Sequence, residues 1–456
     1  MPRNILLLQG PVGPFFQKFA RQLESRGHNV LKVNLNGGDL YYYRRGKYLN
    51  FTSAATIWPA WIESIMVGRE IDRIYLFGDC RRYHRQAIGI ANRLGIDVYV
   101  FEEGYVRPNY VTLEKDGVNG FTSACEKTSI HDCLSETEIT NDDIPSEPVS
   151  NVFRAAARHC VQYYLAASVL KHMFKNYEHH RSLNVITEGL YWLQSGIRKI
   201  TYRFTERKVG EAILSGREKY FLLPLQVHSD MQVRQHSEFP SIEKYLEHVI
   251  SSFSKSDCDD CLLVIKHHPY DRGYKNYRAV IKKMALVYGL ENRIHYVHDT
   301  DLPSLLQNAE GSVLINSTVG ISSLYHDTPV KALGEAIYDI EGLTFQGSLA
   351  SFWNAPGTVD QDLFKRFRRY LIDKTQINGS LYIDVKNADE SGLNWPVELA
   401  EEHFSETATE IPVAETPAAS VEGDVGSIID LEEHKRSAEK LIDKPDFETA
   451  KKKVAF

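Results

Sequence analysis

The sequence contains no long hydrophobic run. No window approaches the roughly 20 apolar residues that a helix needs to cross a bilayer. The start, MPRNILLLQG, has neither the apolar length nor the cleavage site of a signal peptide. We therefore expect a cytoplasmic protein that is either soluble or bound to a membrane surface. Its 43% hydrophobic and 25% charged residues are typical of a soluble globular protein.

Cysteine is scarce, and positive charge is not in excess. The six cysteines show no repeated spacing, which predicts reduced thiols in the cytoplasm. Cys258 and Cys261 have the C-x-x-C spacing but lack a second pair of ligands nearby, so a zinc or redox site is not favoured. The net charge of −7 does not favour nucleic acid as a partner.

Two signatures of nucleotide-binding enzymes are also missing. The glycine-rich turn after the first predicted strand contains Gly10, Pro11 and Gly13, but it lacks the G-x-G-x-x-G spacing of a dinucleotide site. No D-x-D signature or run of acidic metal ligands stands where a diphosphate donor would need it. Phosphate would then be met by histidine, lysine and donors at helix starts, without metal or cofactor. That chemistry favours a donor with a single phosphate.

Two stretches of short apolar strands alternate with helical periodicity, which is the pattern of α/β folds. The first stretch predicts strands at residues 4–8, 28–34, 71–77 and 97–101, with helices at 16–27 and 83–94. The second begins at Tyr220 and predicts strands at 221–224, 262–265, 293–297, 311–315 and 329–333. We therefore predict two Rossmann-like domains that face a cleft, at 1–210 and 211–345. A returning segment at 346–395, with a helix at 349–371, and a disordered acidic tail at 396–456 complete the prediction.

The first predicted domain carries a basic insert at 151–210. Ten lysines and arginines stand against three glutamates there, and aromatic residues are interleaved with them. This composition suits the surface of an anionic membrane or an anionic lipid substrate. It suits equally well an ordinary helical insert whose cationic face is solvated.

The predicted strand at 262–265 ends abruptly in Lys266, His267, His268 and Pro269. Ligands of open α/β sheets bind beyond the carboxyl ends of the strands, so these side chains are candidates to bind an anion. Pro269 removes a ladder donor and biases His268 towards an extended backbone. The alternative is an ordinary solvated turn.

Carboxylates follow a predicted strand of the first half, as the histidines follow the strand at 262–265 in the second half. Glu102 and Glu103 follow the strand at 97–101 and precede Gly104. Two adjacent like charges raise the pKa of one of them towards the range useful for a general base. The alternative is that both carboxylates simply face water. Asp39 belongs to a predicted tight turn at 36–39 on the same sheet edge.

Two further groups of polar residues follow strands of the second half. Serine or threonine at a helix start caps the helix and directs amides and hydroxyls at an anion. These groups are Gln226, Asp230 and Gln232 after the strand at 221–224, and Asn316, Ser317, Thr318 and Gly320 after the strand at 311–315. A cleft between two halves of this kind suits a sugar-nucleotide enzyme.

The motifs, taken in order, resemble those of known glycosyltransferases. Glu-Glu-Gly, His-Pro and Ser-Thr resemble the three motifs of bacterial sialyltransferases, which use CMP-linked sugars. The fuller set resembles the KpsS-type capsular polysaccharide proteins, β-Kdo transferases of Gram-negative capsule assembly. It comprises LLLQGPVGPFF, NLNGGD, FEEGYVRPNYVTLE, PLQVHSDMQV, KHHPYDRG and INSTVGISSL, and it runs from about residue 4 to 345.

The resemblance implies a GT-B-like fold and a retaining transfer of Kdo from CMP-β-Kdo to a (lyso)phosphatidylglycerol lipid at the inner membrane. It also implies capsule assembly partners, among them a second Kdo transferase that extends the poly-Kdo linker. Two alternatives stay open. One is an inverting transferase of another CMP-linked nonulosonic acid, such as sialic acid. The other is a non-catalytic component of capsule assembly or export.

The resemblance also implies catalytic roles. Asp230 matches the position of a proposed nucleophile; the alternative is that it only caps a turn or orients His228. Glu103 is expected to act as the base on the acceptor hydroxyl while Glu102 orients it or the acceptor, or the two exchange roles.

The donor phosphate is expected to meet residues of the second half. His268, helped by Lys266, would stabilise or protonate the leaving CMP phosphate, and Ser317 and Thr318 would bind it from the helix start. The first loop, through Gly10 and Gly13, is expected to close over the sugar. The remaining motif positions expected to bind substrate are Pro11, Asp39, Gly104, Arg107, Gln226, Gln232, His267, Pro269, Asn316 and Gly320.

Overall fold

The computed structural model describes residues 2–119, 130–137, 146–178, 185–230, 233 and 236–404. These residues build two β-sheets packed against helices, both within the compact unit Met1–Thr407. One sheet has seven strands and the other has five. The predicted α/β class with two Rossmann-like sheets, the arrangement of a GT-B-like fold, is confirmed.

The first sheet is built mostly from the first half of the chain. Its strands are β1 Asn4–Leu7, β2 Asn29–Asn34, β3 Lys47–Asn50, β4 Arg73–Phe77, β5 Asp97–Glu103, β6 Tyr110–Lys115 and β12 Gln376–Asn378. The strand order is β12-β6-β5-β4-β1-β2-β3. Strands β1 to β5 are parallel, and β6 and β12 extend the sheet in antiparallel pairing. The sequence predicted β1, β2, β4 and β5 but not the other three.

Strand β5 is longer than predicted. Glu102 and Glu103 pair with Thr112 and Val111 of β6, so they belong to the strand and do not follow it. Their side chains therefore leave the sheet on opposite faces.

The second sheet consists of parallel strands alone. Its strands are β7 Tyr220–Pro224, β8 Leu262–Lys266, β9 Ile294–Val297, β10 Gly311–Leu314 and β11 Val330–Ala332. The order is β11-β10-β7-β8-β9. Every residue of β7, β8 and β10 is buried, as expected for apolar strands covered on both faces. The five predicted strands are confirmed.

Four helices accompany the first sheet: α1 Phe15–Ser25, α2 Gly37–Tyr42, α3 Trp58–Gly68 and α4 Arg82–Leu94. Helix α1 buries Phe15, Phe19 and Leu23, which recur every four residues and so lie on one face. The ring of Phe19 packs 5.3 Å from that of Phe101 on β5.

Helix α2 replaces the tight turn predicted at 36–39. The side chain of Asn36 caps it by accepting hydrogen bonds from the backbone N–H groups of Gly38 and Asp39. Asparagine is a preferred residue at this position because its side-chain oxygen satisfies donors that the first helical turn leaves open.

The basic insert is helical, as predicted. It contains α6 Val152–Val169, α7 Val185–Thr205 and α8 Arg207–Leu214, and α5 Ile130–Glu136 precedes it. Helix α6 crosses α2 closely at Gly38. A Cβ on this glycine would lie only 2.6 Å from the ring of Tyr163. Tyr163 and Phe174 are buried. Part of the aromatic content of the insert therefore packs inside the protein.

Four helices accompany the second sheet: α9 Ile242–Phe253, α10 Arg278–Tyr288, α11 Leu302–Gln307 and α12 Val319–Tyr325. Helix α9 buries six apolar side chains, among them Tyr245, whose hydroxyl donates to the carbonyl of Val313 on β10 at 3.0 Å. One part of the core of this half therefore lies between α9 and the sheet, and a second buried cluster, with Leu305 and Leu306 of α11, covers the other face.

The chain then returns to the first sheet through α13 Leu349–Phe352, α14 Gln361–Thr375 and strand β12. The single helix predicted at 349–371 is wrong, because Pro356 and Gly357 interrupt it and Gly357 adopts a φ of +77°. Helix α15, Val397–Phe404, packs Leu399 and Phe404 into the core of the first sheet. The tail predicted from residue 396 is therefore wrong for these residues; the rest of it, 405–456, lies outside the described residues.

A disulfide joins Cys258 and Cys261, which corrects the prediction of reduced thiols for this pair. Cys80, Cys133 and Cys160 are free, and Cys125 lies outside the described residues. Within the described ranges, every helix is too short or too polar to cross a membrane.

Candidate active site

The carboxyl ends of β5 and β8, one from each sheet, face each other. Tyr270 follows β8, and its pKa is raised mainly by burial and then by the Glu103 carboxylate of β5. The pKa of His268 is lowered by burial and then by the Arg107 guanidinium, which follows β5. Because such charge effects fade over about 10 Å in salt solution, Glu103 and Arg107 lie near Tyr270 and His268. We refer to the space between the ends of β5 and β8 as the cleft.

The two adjacent carboxylates have different surroundings. Glu103 accepts a hydrogen bond from the Tyr382 hydroxyl at 2.7 Å. Glu102 accepts one from the backbone N–H of Glu103 at 3.0 Å. Burial raises the pKa of Glu102 to about 7, and the charges of Glu103 and Asp79 add to this effect. Glu103 is thus the carboxylate whose charge acts on Tyr270 of the second half, while Glu102 is the one with a base-like pKa.

Gly104 shapes the turn after β5. A Cβ at this position would lie 2.1 Å from the carbonyl oxygen of Tyr110, so only glycine lets β6 approach so closely. Arg107 is exposed, and its Nε donates to the Gly104 carbonyl at 3.2 Å. Gly104 therefore has a structural role, its contact with substrate stays a prediction, and Arg107 is available to an anion.

His268 presents a hydrogen-bond donor at the second sheet. Its backbone is extended, and its Nδ1 accepts from the backbone N–H of Tyr270 at 3.2 Å. Burial, Arg107 and Lys266 lower the pKa of the imidazole to about 4. The ring is therefore neutral with its proton on Nε2, which suits donation to a phosphate oxygen. Pro269, exposed, opens the one-turn helix Pro269–Asp271.

Lys266 and His267 point into the protein. The Lys266 ammonium donates to the carbonyl of His298 at 2.8 Å, and burial lowers its pKa to about 8. Nδ1 of His267 lies 2.6 Å from the Tyr296 hydroxyl, and burial lowers the pKa of His267 to about 3. Both side chains are buried, so the structure does not bring them to the cleft as the sequence predicted.

Asp230 stands in the turn after β7 and is half-buried. Gln226 connects it to the end of β10: its Nε2 donates to Asp230 Oδ2 at 3.4 Å and to Asn316 Oδ1 at 3.0 Å. The structure therefore brings three predicted residues together. Gln232, which the sequence also predicted for this group, lies outside the described residues.

The sequence did not single out a pair beside this turn. Nδ1 of His228 is hydrogen-bonded to Asp271 Oδ1, and the His228 backbone N–H donates to Asp271 Oδ2 at 2.9 Å. Asp271 is fully buried, whereas the His228 side chain is 31% exposed. His228 lies in the motif PLQVHSDMQV and Asp271 in KHHPYDRG, but their 43-residue separation concealed the contact.

The helix start after β10 is only partly as predicted. Ser317 Oγ accepts from the backbone N–H of Val319 at 3.3 Å, whereas Thr318 makes no side-chain capping bond. A Cβ on Gly320 would lie 2.2 Å from the ring of Tyr338, so this glycine serves packing. Ser317 and Thr318 are half-buried and remain candidates to meet a phosphate.

The predicted residues of the first loop border one small cavity. Gly10, Pro11, Gly13 and Asp39 line a volume of about 20 Å³, which has room for about one water molecule and not for a sugar ring. Asp39 accepts hydrogen bonds from the Leu35 backbone N–H and from the buried Tyr163 hydroxyl, both at 2.9 Å. These contacts favour a structural role for Asp39.

A possible metal-ligand group lies away from the cleft. Among the described residues, ligand atoms of Cys258, Asp260 and Cys261 lie within 4.8 Å of one another. They precede β8 and so stand at its amino end, opposite His268, and the two sulfurs are bonded to each other.

Comparison with known proteins identifies the family. A family model described as capsule polysaccharide biosynthesis protein matches residues 72–382, more than half of the 456-residue chain. The chain belongs to this family. The matched residues include both sides of the cleft, from Glu102 and Glu103 to His268 and Ser317.

Individual relatives agree with this assignment. The capsule polysaccharide export protein KpsS of Escherichia coli is 41% identical over 384 residues, which cover 83% of this chain and 97% of that protein. The capsule polysaccharide modification protein LipB of Neisseria meningitidis serogroup B is 38% identical over 400 residues, covering 86% and 96%. The predicted resemblance to KpsS-type capsule proteins is thus confirmed.

Among solved structures, Thermosulfurimonas dismutans KpsC, a β-Kdo 2,7 transferase, aligns with a TM-score of 0.40 at 14% identity, covering 88% of this chain and 98% of that one.

Proposed function

We propose that this protein is a retaining glycosyltransferase that transfers β-Kdo from CMP-β-Kdo to a (lyso)phosphatidylglycerol lipid and so starts the poly-Kdo linker of a Gram-negative capsule. The observation that carries the proposal is the approach of Glu103 and Arg107, from the first sheet, to His268 and Tyr270 of the second. A carboxylate that faces a neutral imidazole donor across a cleft matches an acceptor on one side and a donor phosphate on the other.

The donor phosphate is proposed to bind at the second sheet without metal. Nε2–H of His268 donates to a phosphate oxygen, and Ser317 and Thr318 add hydroxyl donors from the end of β10. Arg107, exposed across the cleft, supplies the positive charge that the buried Lys266 does not offer.

Retention is proposed to proceed in two displacements. A carboxylate oxygen of Asp230 attacks the anomeric carbon, the bond from that carbon to the phosphate oxygen breaks, and CMP leaves while His268 stabilises its phosphate. An acceptor hydroxyl then attacks the same carbon, and the Asp230 ester bond breaks. The hydroxyl proton passes either to Glu103 or, with the two roles exchanged, to Glu102, whose pKa of about 7 suits this task.

The reaction is proposed to take place on the cytoplasmic face of the inner membrane, where the lipid acceptor resides. A second Kdo transferase would then extend the linker. The exposed apolar and basic side chains of the insert at 151–210 support this location.

Two other functions have a specific observation in their favour. The Gln226 hydrogen bond to Asp230 fits an orienting role for Asp230, as in an inverting transferase of another CMP-linked nonulosonic acid. The Escherichia coli relative is named as an export protein, which fits a non-catalytic assembly or export component.

The deciding experiment combines the purified protein, CMP-β-Kdo generated in situ and a fluorescent lyso-phosphatidylglycerol, with mass spectrometry of the product. We expect a mass gain of one Kdo that Asp230→Ala and His268→Ala abolish. Asp259→Ala and His248→Ala, both at exposed positions, should leave it intact.

The other outcomes point to the alternatives. Protection by CMP against thermal unfolding without product would indicate another nonulosonic acid or acceptor. Neither product nor protection would favour the assembly or export component.

A further inference from the structure

Helix α7 carries an apolar stripe that the described part of the chain leaves exposed. Its five large side chains are each between 58% and 75% exposed: Leu190, Leu193, Ile197, Ile200 and Phe204. They recur at intervals of three and four residues, which places them along one side of the helix. A contiguous apolar surface of this kind marks an interaction site. We refer to these five residues as the α7 stripe.

The α7 stripe does not attach the helix to the rest of the protein. A different face of α7 makes these contacts. The ring of Tyr202 stacks on His298 at 3.8 Å, and Arg198 Nη1 donates to the carbonyl of Arg272 at 2.7 Å. A Cβ on Gly273 would lie 2.2 Å from the carbonyl oxygen of Tyr191, so helix and loop are in close contact. The 100° rotation per residue puts these residues away from the stripe.

The charges beside the α7 stripe are positive. Lys199 and Arg203 lie along one edge of it, together with the partly exposed Trp192. The only acidic residue of α7 is Glu188, which accepts a hydrogen bond from Tyr274 on the inner face. A second copy of α7 would bring like charges together, whereas anionic lipid headgroups would complement them.

We propose that the α7 stripe, with Lys199 and Arg203, lies on an anionic lipid surface, and that docking there is linked to binding of the donor nucleotide. The link rests on the proposed function, while the docking does not. Apolar side chains enter the headgroup boundary, the two cations meet the lipid charge, and the helix lies in the plane of the surface.

The inner face of α7 supplies the physical basis of the link. It contacts Arg272 and Gly273, which immediately follow Asp271, the carboxylate that holds His228. A surface that restrains α7 therefore restrains the loop beside the donor site. Because coupling between two binding sites is reciprocal, the nucleotide should also strengthen binding to the lipid surface.

The docking is tested by co-sedimentation of the full-length protein with phosphatidylcholine vesicles that contain or lack phosphatidylglycerol. We expect binding that depends on phosphatidylglycerol and falls at least about tenfold in the double variant Ile197→Glu/Ile200→Glu. The matched control is Leu286→Glu/Val287→Glu, whose side chains are both 67% exposed on α10, and it should bind as the unaltered protein does. Lys199→Ala and Arg203→Ala should each weaken binding about fivefold.

Several results would overturn the docking proposal. One is unaltered vesicle binding by Ile197→Glu/Ile200→Glu with a native circular dichroism spectrum. Another is a dimer in light scattering that this variant converts to a monomer while vesicle binding persists, because the α7 stripe would then be a contact between two copies. Vesicle binding needs no sugar donor, so loss of transferase activity alone leaves the docking proposal standing.

The link is tested by the affinity for CMP, measured calorimetrically with and without phosphatidylglycerol vesicles. We expect tighter CMP binding with vesicles for the unaltered protein and for Leu286→Glu/Val287→Glu, but not for Ile197→Glu/Ile200→Glu. Equal CMP affinity with and without vesicles in the unaltered protein would overturn the link. CMP that does not bind under either condition would contradict the proposed function and, with it, the link, while the vesicle result would still decide the docking.

Discussion

The buried Asp271 and the partly exposed His228 form a hydrogen-bonded pair at the edge of the candidate donor site. The Asp271 carboxylate meets both Nδ1 and the backbone N–H of His228. Because Nδ1 is occupied, Nε2 is the ring nitrogen that a ligand can reach. A buried carboxylate that fixes the tautomer and orientation of a histidine is a recurrent catalytic arrangement. The pair also ties the turn that holds Asp230 to the turn that holds His268.

The first prediction concerns this pair. We expect His228→Ala to lower kcat about 100-fold or more while CMP still protects the protein against thermal unfolding. Asp271→Asn should lower kcat with little change in KM, because an amide cannot accept from both donors. It should also reduce the free energy of unfolding by about 1–3 kcal/mol, since a buried hydrogen-bonding group loses a partner.

The control for the first prediction is His248→Ala, at an exposed position on α9, which should change neither quantity. An unaltered kcat in His228→Ala would show that the pair is purely structural.

The second prediction concerns pH. Burial raises the pKa of Glu102 from its ordinary 4.5 to about 7. Between pH 4.5 and about 7, Glu102 is therefore protonated in the folded protein and ionised in the unfolded chain. If Glu102 receives the proton of the acceptor, kcat/KM should rise as pH increases through about 7, and Glu102→Gln should remove this rise. Glu103→Gln should lower kcat/KM without removing its rise with pH. A rise that persists in Glu102→Gln would assign the titration to another group.

The same shift predicts the pH dependence of stability. Because the folded state binds more protons than the unfolded state between pH 4.5 and about 7, the free energy of unfolding should fall as pH rises through this window. Glu102→Gln cannot ionise and should lose that component of the fall. Urea denaturation at several pH values measures it.

The sequence predicted the second sheet well and the first sheet only in part. Strands such as β8 are short apolar runs that end in polar residues, so local pattern identifies them. Strand β12 could not be found in this way. Gln376 donates to the Thr112 hydroxyl from 264 residues away, and only three residues form the strand. Its position depends on tertiary pairing and not on local propensity.

The candidate site shows the same limit at the level of single side chains. The sequence singled out the motif KHHPYDRG, but β8 continues to Lys266, and His267 is buried whereas His268 is only partly buried. Sequence order alone does not specify which of three adjacent side chains reaches a ligand. The pairing of His228 with Asp271 was equally invisible, because it joins two turns at the ends of neighbouring strands.

The third prediction concerns the tautomer of His268. Its Nδ1 accepts from the Tyr270 backbone N–H, so Nε2–H is the donor offered to phosphate. We expect His268→Gln, whose amide N–H extends to a similar distance, to retain CMP binding. His268→Ala should weaken it about tenfold, the loss of one hydrogen bond of about 1.5 kcal/mol. Isothermal titration with CMP measures both; equal weakening in the two variants would argue against a neutral donor.

The fourth prediction tests the close approach at the turn after β5. A Cβ on Gly104 would lie 2.1 Å from a backbone oxygen of Tyr110, which cannot move without breaking the pairing of β5 with β6. We expect Gly104→Ala to reduce the free energy of unfolding by at least about 2 kcal/mol and to reduce activity, because Glu102 and Glu103 belong to the displaced strand.

The matched substitution for this fourth prediction is Gly89→Ala. Gly89 lies exposed within helix α4, and a Cβ there would have nothing within 4 Å. Alanine is a better helix former than glycine, so this variant should be about 0.5–1 kcal/mol more stable than the unaltered protein. Chemical denaturation of both variants separates the cost of the close approach from the general effect of adding a methyl group. Equal stability of the two variants would mean that the turn relaxes, and that the positions of the two carboxylates do not depend on Gly104.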